Sequence, residues 1–211
     1  MFLAVDELES TLTTGLDRID DEVVNAFGDL LAVGSYLPLL LQISPVLQRP
    51  GRDGDYFTDE QVQTWGLESF WGLPHYPQTP YYRTFETTVG SDAHLFEFVV
   101  PMVPPSWNSA AVMVRHQEAL AVSARPTAVA VSTLDICEPA VDRGVNDYAH
   151  WGLTHFLLDG HHKMQAAAQA GRPLRLLSLL SIESSLAPPN EVNRVAELRA
   201  QSHVARASAR S

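Results

Sequence analysis

Two apolar segments enclose a helix-forming segment within residues 152–182. Residues 152–158 (GLTHFLL) predict a strand, and residues 173–182 (PLRLLSLLSI) predict a second strand that is apolar almost throughout, as is typical of a strand buried on both faces. His161 to Ala170 holds strong helix formers, and Gly171 follows as a helix-terminating residue. Asp159 and Gly160 therefore form a sharp corner between the first strand and the helix.

The N-terminal third begins with a helical pattern. Apolar residues between positions 8 and 31 recur every three or four residues, which indicates two helices separated near Gly15. This apolar face belongs to a core or to a dimer contact. Residues 36–43 (YLPLLLQI) form the most apolar run of the chain. This run contains Pro38 and Gln42 and is too short to cross a membrane, so it is interpreted as a buried helix or an interface segment.

Further elements follow along the chain. Residues 81–88 and 93–100 are rich in Tyr, Phe, Thr and Val and flank a turn, the pattern of a hairpin. Residues 106–123 predict a helix that follows prolines, and residues 126–136 predict a strand. Residues 191–211 suggest an amphipathic helix with a frayed end.

The composition limits what the chain can bind. Its 211 residues are 45% hydrophobic and 18% charged, which suits one folded domain or one domain with an addition. The net charge of −11 weighs against nucleic acid or an anionic membrane as a partner, because such a binder needs an excess of Lys and Arg. Cys137 is the single cysteine and the first residues are acidic, so we expect no internal disulfide, no signal peptide and a cytoplasmic location.

The string Asp-Gly-His-His-Lys at the corner combines the groups that bind an anion. A helix that begins after a tight turn leaves its first N–H groups unpaired, at the positive end of the helix dipole. Gly160 allows a ligand to approach the backbone closely. His161 and His162 can donate hydrogen bonds to phosphate oxygens, and Lys163, the only lysine in the chain, adds a positive charge. Asp159 can hold a histidine tautomer, coordinate Mg²⁺ through the phosphates or cap the helix.

Each of these residues also has a purely structural alternative. Asp159 can serve as a helix cap with no chemistry, and one of the two histidines can pack its ring and bond a backbone carbonyl. Lys163 can lie on the solvent face. The alanines that follow in the helix allow close packing against the sheet.

A metal site is a second interpretation of the same region. Several side chains there could supply three ligands: His150, His155, His161, His162, Asp147 and Asp159. Adjacent histidines point in different directions, however, and neither the H-E-x-x-H nor the H-x-H spacing is present. The phosphate interpretation is therefore favoured.

Residues 106–183 resemble the ParB/sulfiredoxin superfamily. Its members share a strand, then D-G-H-H-R or a close relative, then a helix with small residues, a glycine and another strand; the matching string here runs from His155 to Gly171. The resemblance implies an α/β (α+β) fold with a mixed sheet. It also implies a nucleotide or phosphate site at the turn, with cofactor contacts from Gly160, His161, His162 and Lys163.

The resemblance also divides the chain into three expected parts. Residues 1–105 are expected to form a helical and β-hairpin extension packed on the core, which the family does not usually carry. Residues 106–190 are expected to form the ParB/sulfiredoxin-like domain, and residues 191–211 a C-terminal helix and a frayed tail.

The sequence departs from the family pattern in several places. It has no second arginine-rich phosphate motif and no helix-turn-helix domain, both of which mark the chromosome-partitioning members. His161 stands where sulfiredoxins carry their reactive cysteine, and Cys137 lies far upstream, so sulfiredoxin activity is not expected. Lys163 stands where the family usually has Arg, a change that keeps phosphate binding but loses a bidentate contact.

The motif is closest to the small-molecule, free-serine kinase members of the superfamily. This implies phosphoryl transfer from ATP or another nucleotide, with Mg²⁺, to a small hydroxylated acceptor. Asp159, His161 and His162 would be catalytic, and Asp159 would also hold the metal. A carboxylate would orient the acceptor, and its candidates are Glu68, Glu86, Glu97, Asp135 and Glu138. We assign it to Glu138, with Asp135 as the alternative.

Two other functions remain open on the sequence alone. The chain can be a non-catalytic module that binds a small ligand or a partner, including a second copy of itself, with a turn that is only structural. It can also be an enzyme of secondary metabolism that uses His161 or His162 as an acid or base.

Overall fold

Seven strands form one mixed sheet in the described part of the chain. The structure is a computed structural model that describes residues 4–52, 54–57, 79–122, 125–138 and 148–208, with residues 201–208 as backbone only. The strands are β1 (Tyr36–Ile43), β2 (Val46–Gln48), β3 (Tyr81–Val89), β4 (Ala93–Pro101), β5 (Thr127–Cys137), β6 (Ala149–Asp159) and β7 (Leu174–Ser181). Their order across the sheet is β1-β7-β5-β6-β4-β3-β2. The pairs β4–β6 and β5–β7 are parallel, and the other neighbours are antiparallel.

Helices accompany the sheet within the same described residues. They are α1 (Val5–Thr14), α2 (Asp21–Ala26), α3 (Ala110–Ala121), α4 (His161–Ala170) and α5 (Pro189–Ser208). Short 3₁₀ turns occur at Gly28–Leu30 and Pro105–Trp107. A mixed sheet with helices confirms the predicted α/β class.

Two apolar clusters hold the helices against the sheet. Side chains of α1 and α2 pack on β5 and β7 through Leu12, Val23, Val129 and Leu179. The larger cluster brings α4, α5 and six strands together through buried side chains, and Leu47 of β2 packs against it. The buried side chains include Leu41, Phe85, Leu95, Leu134, Leu153, Met164, Leu176 and Val195. Burial of apolar area is the main stabilising term in a fold of this kind. The start of α4 therefore lies between the sheet and neighbouring helices.

The locally encoded elements form where the sequence predicts them. The hairpin is present as β3 and β4, and α4 covers His161–Ala170 as predicted. Gly171 adopts a left-handed conformation with φ of 58° and ends the helix. The apolar run from Leu174 is strand β7, and nearly all of its side chains are buried. The helix predicted from residue 106 begins later, at Ala110, after the 3₁₀ turn.

The prediction of a buried helix at residues 36–43 is wrong. This segment is β1, which pairs with β7 in antiparallel register from Tyr36↔Ser181 to Ile43↔Leu174. An edge strand tolerates Pro38 because, in the part of the chain that the structure describes, one side of β1 has no strand neighbour. Alternate leucines enter the two clusters, with Leu39 in the larger one and Leu40 against the smaller. The segment is apolar throughout because both faces of the strand are covered.

Strands from the N-terminal half share the sheet with the later strands. The parallel β4–β6 pairing runs from Ala93↔Ala149 to Pro101↔Leu157. The antiparallel β1–β7 pairing joins β1, which also comes from the N-terminal half, to the later strand β7. The described strands on both sides of residue 105 are thus linked by continuous backbone hydrogen bonding.

Candidate functional site

Asp159, Gly160 and the first turn of α4 form a tight corner. Gly160 has a φ of 92°, and a Cβ at this position would lie 2.7 Å from the Ala128 Cβ, so both the backbone angle and the close packing require glycine. The Met164 N–H donates to the Gly160 carbonyl over 2.8 Å and starts the helical pattern. Within the described residues, no side chain caps the first amides of α4.

The two histidines of the corner bind the segment before α3. The Met102 N–H donates to His161 Nε2 over 3.2 Å, and the Ser109 N–H donates to His162 Nε2 over 3.0 Å. A nitrogen that accepts a hydrogen bond carries no proton, so each neutral ring keeps its proton on Nδ1. Burial lowers the pKa of His161, with the charge of nearby Asp159 opposing that shift. These rings therefore fasten residues 102–109 to the corner.

Lys163 turns inward and pairs with Asp159. Its Nζ lies 3.0 Å from Asp159 Oδ2 and donates to the Thr127 carbonyl over 3.1 Å. The lysine side chain is 7% exposed, whereas the Asp159 side chain is 42% exposed. The ion pair ties the end of β6 to the helix, and the Asp159 side chain stays partly exposed.

The corner opens on a cavity of about 760 Å³. Residues 159–163 form one part of its wall, and the α3 side chains of Arg115 and His116 form another. Burial lowers the pKa of His116, and the positive charges of Lys163, His162 and Arg115 add to this effect, while Asp159 opposes it. The polar end of the cavity therefore holds two cationic side chains, Arg115 and Lys163, together with the carboxylate of Asp159.

The rest of the cavity wall is mostly apolar. Helix α1 contributes Val5, Leu8 and Leu12, and Phe27 follows α2. Trp107, which lines the same cavity, is 76% exposed, an unusual environment for an indole. The cavity thus combines a polar end, which carries the Arg115 guanidinium and the start of α4, with an apolar wall. This arrangement suits a small ligand that carries an anionic group on an apolar body.

Glu138 lies far from this corner. In the antiparallel β5–β6 pair, Val129 faces Asp159 whereas Cys137, the residue before Glu138, faces His150. At about 3.3 Å per residue, Glu138 is roughly 30 Å along the strand from the corner. Asp135 lies near the same distant end, and its Oδ1 accepts a hydrogen bond from the Leu186 N–H over 3.4 Å. The structure brings neither carboxylate to residues 159–163.

The other candidate carboxylates are also remote from the cavity or committed elsewhere. Glu86 is exposed on β3 and pairs with Arg83 over 2.7 Å. Glu97 is buried; its Oε1 accepts a hydrogen bond from Thr84 over 2.7 Å, and its Oε2 lies 3.2 Å from Arg199 Nε. Glu68 lies outside the described residues. Among the described residues, the carboxylates that line the cavity are Asp159 and Glu9, and only Asp159 was predicted from the sequence.

The histidines of β6 do not join the corner. His150 Nδ1 lies 2.8 Å from the Tyr56 hydroxyl, and His155 Nδ1 lies 2.6 Å from the Ser132 hydroxyl. No group of three His, Cys, Asp or Glu side chains that could hold a metal occurs among the described residues, which do not include Asp147. A Mg²⁺ ion would therefore depend on Asp159 together with phosphate oxygens of a ligand, the usual mode for this ion.

Cys137 is unsuited to nucleophilic chemistry. It is an exposed residue at the end of β5. Partial burial of its thiol, together with the charges of Asp135 and Glu138, raises the pKa of Cys137. The thiolate, which is the reactive form, is therefore disfavoured.

Sequence reasoning missed the α3 side of the cavity. Val112, Arg115 and His116 have the i, i+3, i+4 spacing that places residues on one helix face, and Asn108 donates to the His161 carbonyl and to Gln165 Oε1. The spacing was visible in the sequence. Nothing local, however, indicated that this face meets a corner located more than forty residues later.

Comparison of the chain with protein-family models, with curated proteins and with solved structures found no match. Among the described helices, none combines the length and the apolar character needed to cross a membrane.

Proposed function

We propose that the cavity at the Asp159–Lys163 corner binds a small molecule that carries a phosphate group, with a nucleotide as the leading class. One observation carries the proposal: the uncapped start of α4 lies in the same cavity as Arg115 and His116. Backbone N–H groups at a helix start and a nearby guanidinium are the groups that proteins use for phosphate. The strand–corner–helix–glycine–strand order of β6, α4 and β7 also supports the proposed ParB/sulfiredoxin relationship.

The phosphate would occupy the polar end of the cavity, beside Arg115 and the start of α4. Arg115 would contact it directly, because no ion pair involves this guanidinium in the part of the chain that the structure describes. Lys163 would act mainly by positioning Asp159 and the helix start, since its ammonium already has two oxygen partners. His161 and His162 keep a donor at Nδ1 for ligand oxygens.

The remainder of the ligand would lie along the apolar wall. Trp107 offers an indole face for a planar ring, and Leu8 and Leu12 offer aliphatic contacts. A nucleoside satisfies both requirements because its base stacks and its phosphate is anionic. We place the protein in a reducing, cytoplasmic compartment on the basis of its single cysteine, Cys137.

Phosphoryl transfer to a small hydroxylated acceptor is the catalytic form of this proposal. Mg²⁺, when bound through Asp159 and the phosphates, would neutralise charge on the transferred group. Asp159 or Glu9 would orient the acceptor hydroxyl, because these are the carboxylates among the described residues of the cavity wall. Glu138 and Asp135 have no part in this version, because they lie at the other end of β5.

A non-catalytic ligand-binding module is the second candidate. The observation that favours it is the commitment of the corner side chains: both His Nε2 atoms and the Lys163 ammonium already make internal hydrogen bonds. Acid–base catalysis by His161 or His162 would have to use Nδ1 for the same reason. His116 is the further imidazole in the cavity wall.

Calorimetric titration tests the proposal. ATP, ADP, CTP, GTP and inorganic pyrophosphate are titrated with Mg²⁺ into the wild type, Arg115→Gln and Trp107→Ala, with the exposed Arg52→Gln as the matched control. Arg115→Gln should weaken binding by about 1–3 kcal/mol, the range for a charge-assisted contact, and Arg52→Gln should leave it unchanged. Trp107→Ala should weaken nucleotide binding but not pyrophosphate binding.

The outcome also separates the two candidates. Binding with hydrolysis or transfer of the γ-phosphate supports a phosphotransferase, and binding without turnover supports a sensor. Absence of binding by every probe, or equal affinity in the wild type and Arg115→Gln, would overturn the proposed site.

A further inference from the structure

A second cavity, of about 270 Å³, lies at the other end of α4. Three of the residues that line it are arginines, namely Arg125, Arg172 and Arg175, and Gln42 is the remaining polar one. No acidic residue is among its described lining residues. This concentration of positive charge is notable in a chain whose net charge is −11.

The sheet brings these arginines together. β5 and β7 run parallel with Thr127 facing Arg175, and the Arg175 N–H donates to the Pro126 carbonyl over 3.2 Å. Arg125 therefore lies beside Arg172, which is in the loop between α4 and β7, and Arg175, which is at the start of β7. The cluster results from strand pairing and not from a basic run in the sequence.

Arg175 is held in place, whereas the other two guanidiniums are available. Arg175 Nη2 lies 2.8 Å from Asp17 Oδ1, and its Nη1 donates to the Leu16 carbonyl. The Asp17 side chain is 93% exposed, so water screens its carboxylate, which neutralises the Arg175 charge only in part. Arg125 and Arg172 form no ion pair with any other residue that the structure describes.

We propose that this cavity is a second anion site, specific for a phosphoryl group of the size of inorganic phosphate or pyrophosphate. Guanidinium groups bind phosphate oxygens through paired, charge-assisted hydrogen bonds. The volume is below the range usual for drug-sized ligands, so a nucleotide would leave its nucleoside outside the cavity. The site is independent of the nucleotide proposal, because none of its described lining residues lines the cavity at the start of α4.

Phosphate titration followed by backbone amide NMR tests this site. Phosphate and pyrophosphate are added to four proteins: the wild type, the double variant Arg125→Gln/Arg172→Gln, the variant Asp17→Asn and the control Arg194→Gln. Each variant is first shown to keep the wild-type melting temperature. In the wild type, shifts should appear at residues 120–122 and 172–175. The double variant should bind at least about tenfold more weakly, since two charge-assisted contacts are lost.

The remaining arms separate the possible explanations. Asp17→Asn should raise the affinity about two- to fivefold, because a competing carboxylate is removed from Arg175. AMP should bind here no more tightly than inorganic phosphate; much tighter binding would overturn the size limit. Equal affinity in the wild type and the double variant, or shifts confined to residues 159–163, would overturn the site itself while leaving the nucleotide proposal intact.

Discussion

The Arg199 guanidinium lies 3.2 Å from the Glu97 carboxylate in the interior of the protein, where the two side chains are 5% and 0% exposed. Arg199 comes from α5 and Glu97 from the centre of the sheet, so one ion pair fastens the C-terminal helix. Burial alone would raise the pKa of Glu97, but the proximity of His155 and the charge of Arg199 lower it. Glu97 is therefore ionised, and its buried negative charge depends on Arg199 for compensation.

Arg199→Met should destabilise the protein by about 3–5 kcal/mol, because it leaves a buried carboxylate without its compensating charge. Arg194→Met is the control, because Arg194 pairs with Glu191 at a half-exposed position on the same helix. This substitution should lower the free energy of unfolding by about 1 kcal/mol or less. Urea denaturation measures both. The double variant Arg199→Met/Glu97→Gln should recover part of the loss, and equal effects of Arg199→Met and Arg194→Met would contradict the assigned role of the pair.

Gly160→Ala should destabilise the protein by about 1–3 kcal/mol, because a Cβ would combine a left-handed backbone with a clash against Ala128. Gly28→Ala is the matched control, since a Cβ there meets nothing within 4 Å. It should change stability by less than about 1 kcal/mol. Thermal unfolding of the two variants provides the comparison, and a neutral Gly160→Ala would show that the corner can relax.

Lys163→Met should cost about 1–3 kcal/mol, because the Thr127 carbonyl and Asp159 both lose their charged donor while the aliphatic volume is kept. The exposed Gln169→Met on the same helix should have an effect below about 0.5 kcal/mol. Denaturant titration of both variants is the measurement. A Lys163→Met protein as stable as wild type would mean that the ammonium makes no net contribution at the corner.

His150 should remain neutral well below its ordinary titration range. Burial, reinforced by the charge of His94, lowers the pKa of His150 from 6.5 to about 4. A group whose pKa is lower in the folded state stabilises the fold above the unfolded value and loses that contribution as the pH falls, here between about 6.5 and 4. NMR titration of the imidazole gives the pKa directly.

A His150→Gln variant provides the thermodynamic counterpart of that titration. Its unfolding free energy should depend less steeply on pH between 6.5 and 4 than that of the wild type, because the group that charges on unfolding is gone. An imidazole that titrates near 6.5 in the folded protein would contradict the burial argument.

Sequence reasoning located the elements whose signals are local. The glycine at position 171 and the helix formers before it define α4 without reference to any other part of the chain. The same holds for the β3–β4 hairpin, whose strands flank a short turn. Asp159, His161 and His162 were identified in this way, as neighbours at a strand-to-helix corner, and the structure places all three in one cavity wall.

Features that depend on distant partners were not predictable. Residues 36–43 form a strand because β7 pairs with them, although their own pattern is ambiguous between a buried helix and a buried strand. Glu138 follows a strand in the sequence, but only the antiparallel register shows that this strand ends far from Asp159. Arg115 and His116 join the site through packing of α3 against α4, which no spacing rule encodes.

The pairing of β1 with β7 has a consequence for biosynthesis. β1 leaves the ribosome early, yet its hydrogen-bonding partner ends at residue 181, so more than a hundred residues must be translated before that pairing can begin. Until then a leucine-rich segment has no strand beside it, and such segments are prone to aggregate. Non-local pairing of this kind also slows folding. The nascent chain should therefore benefit from a chaperone that shields residues 36–43.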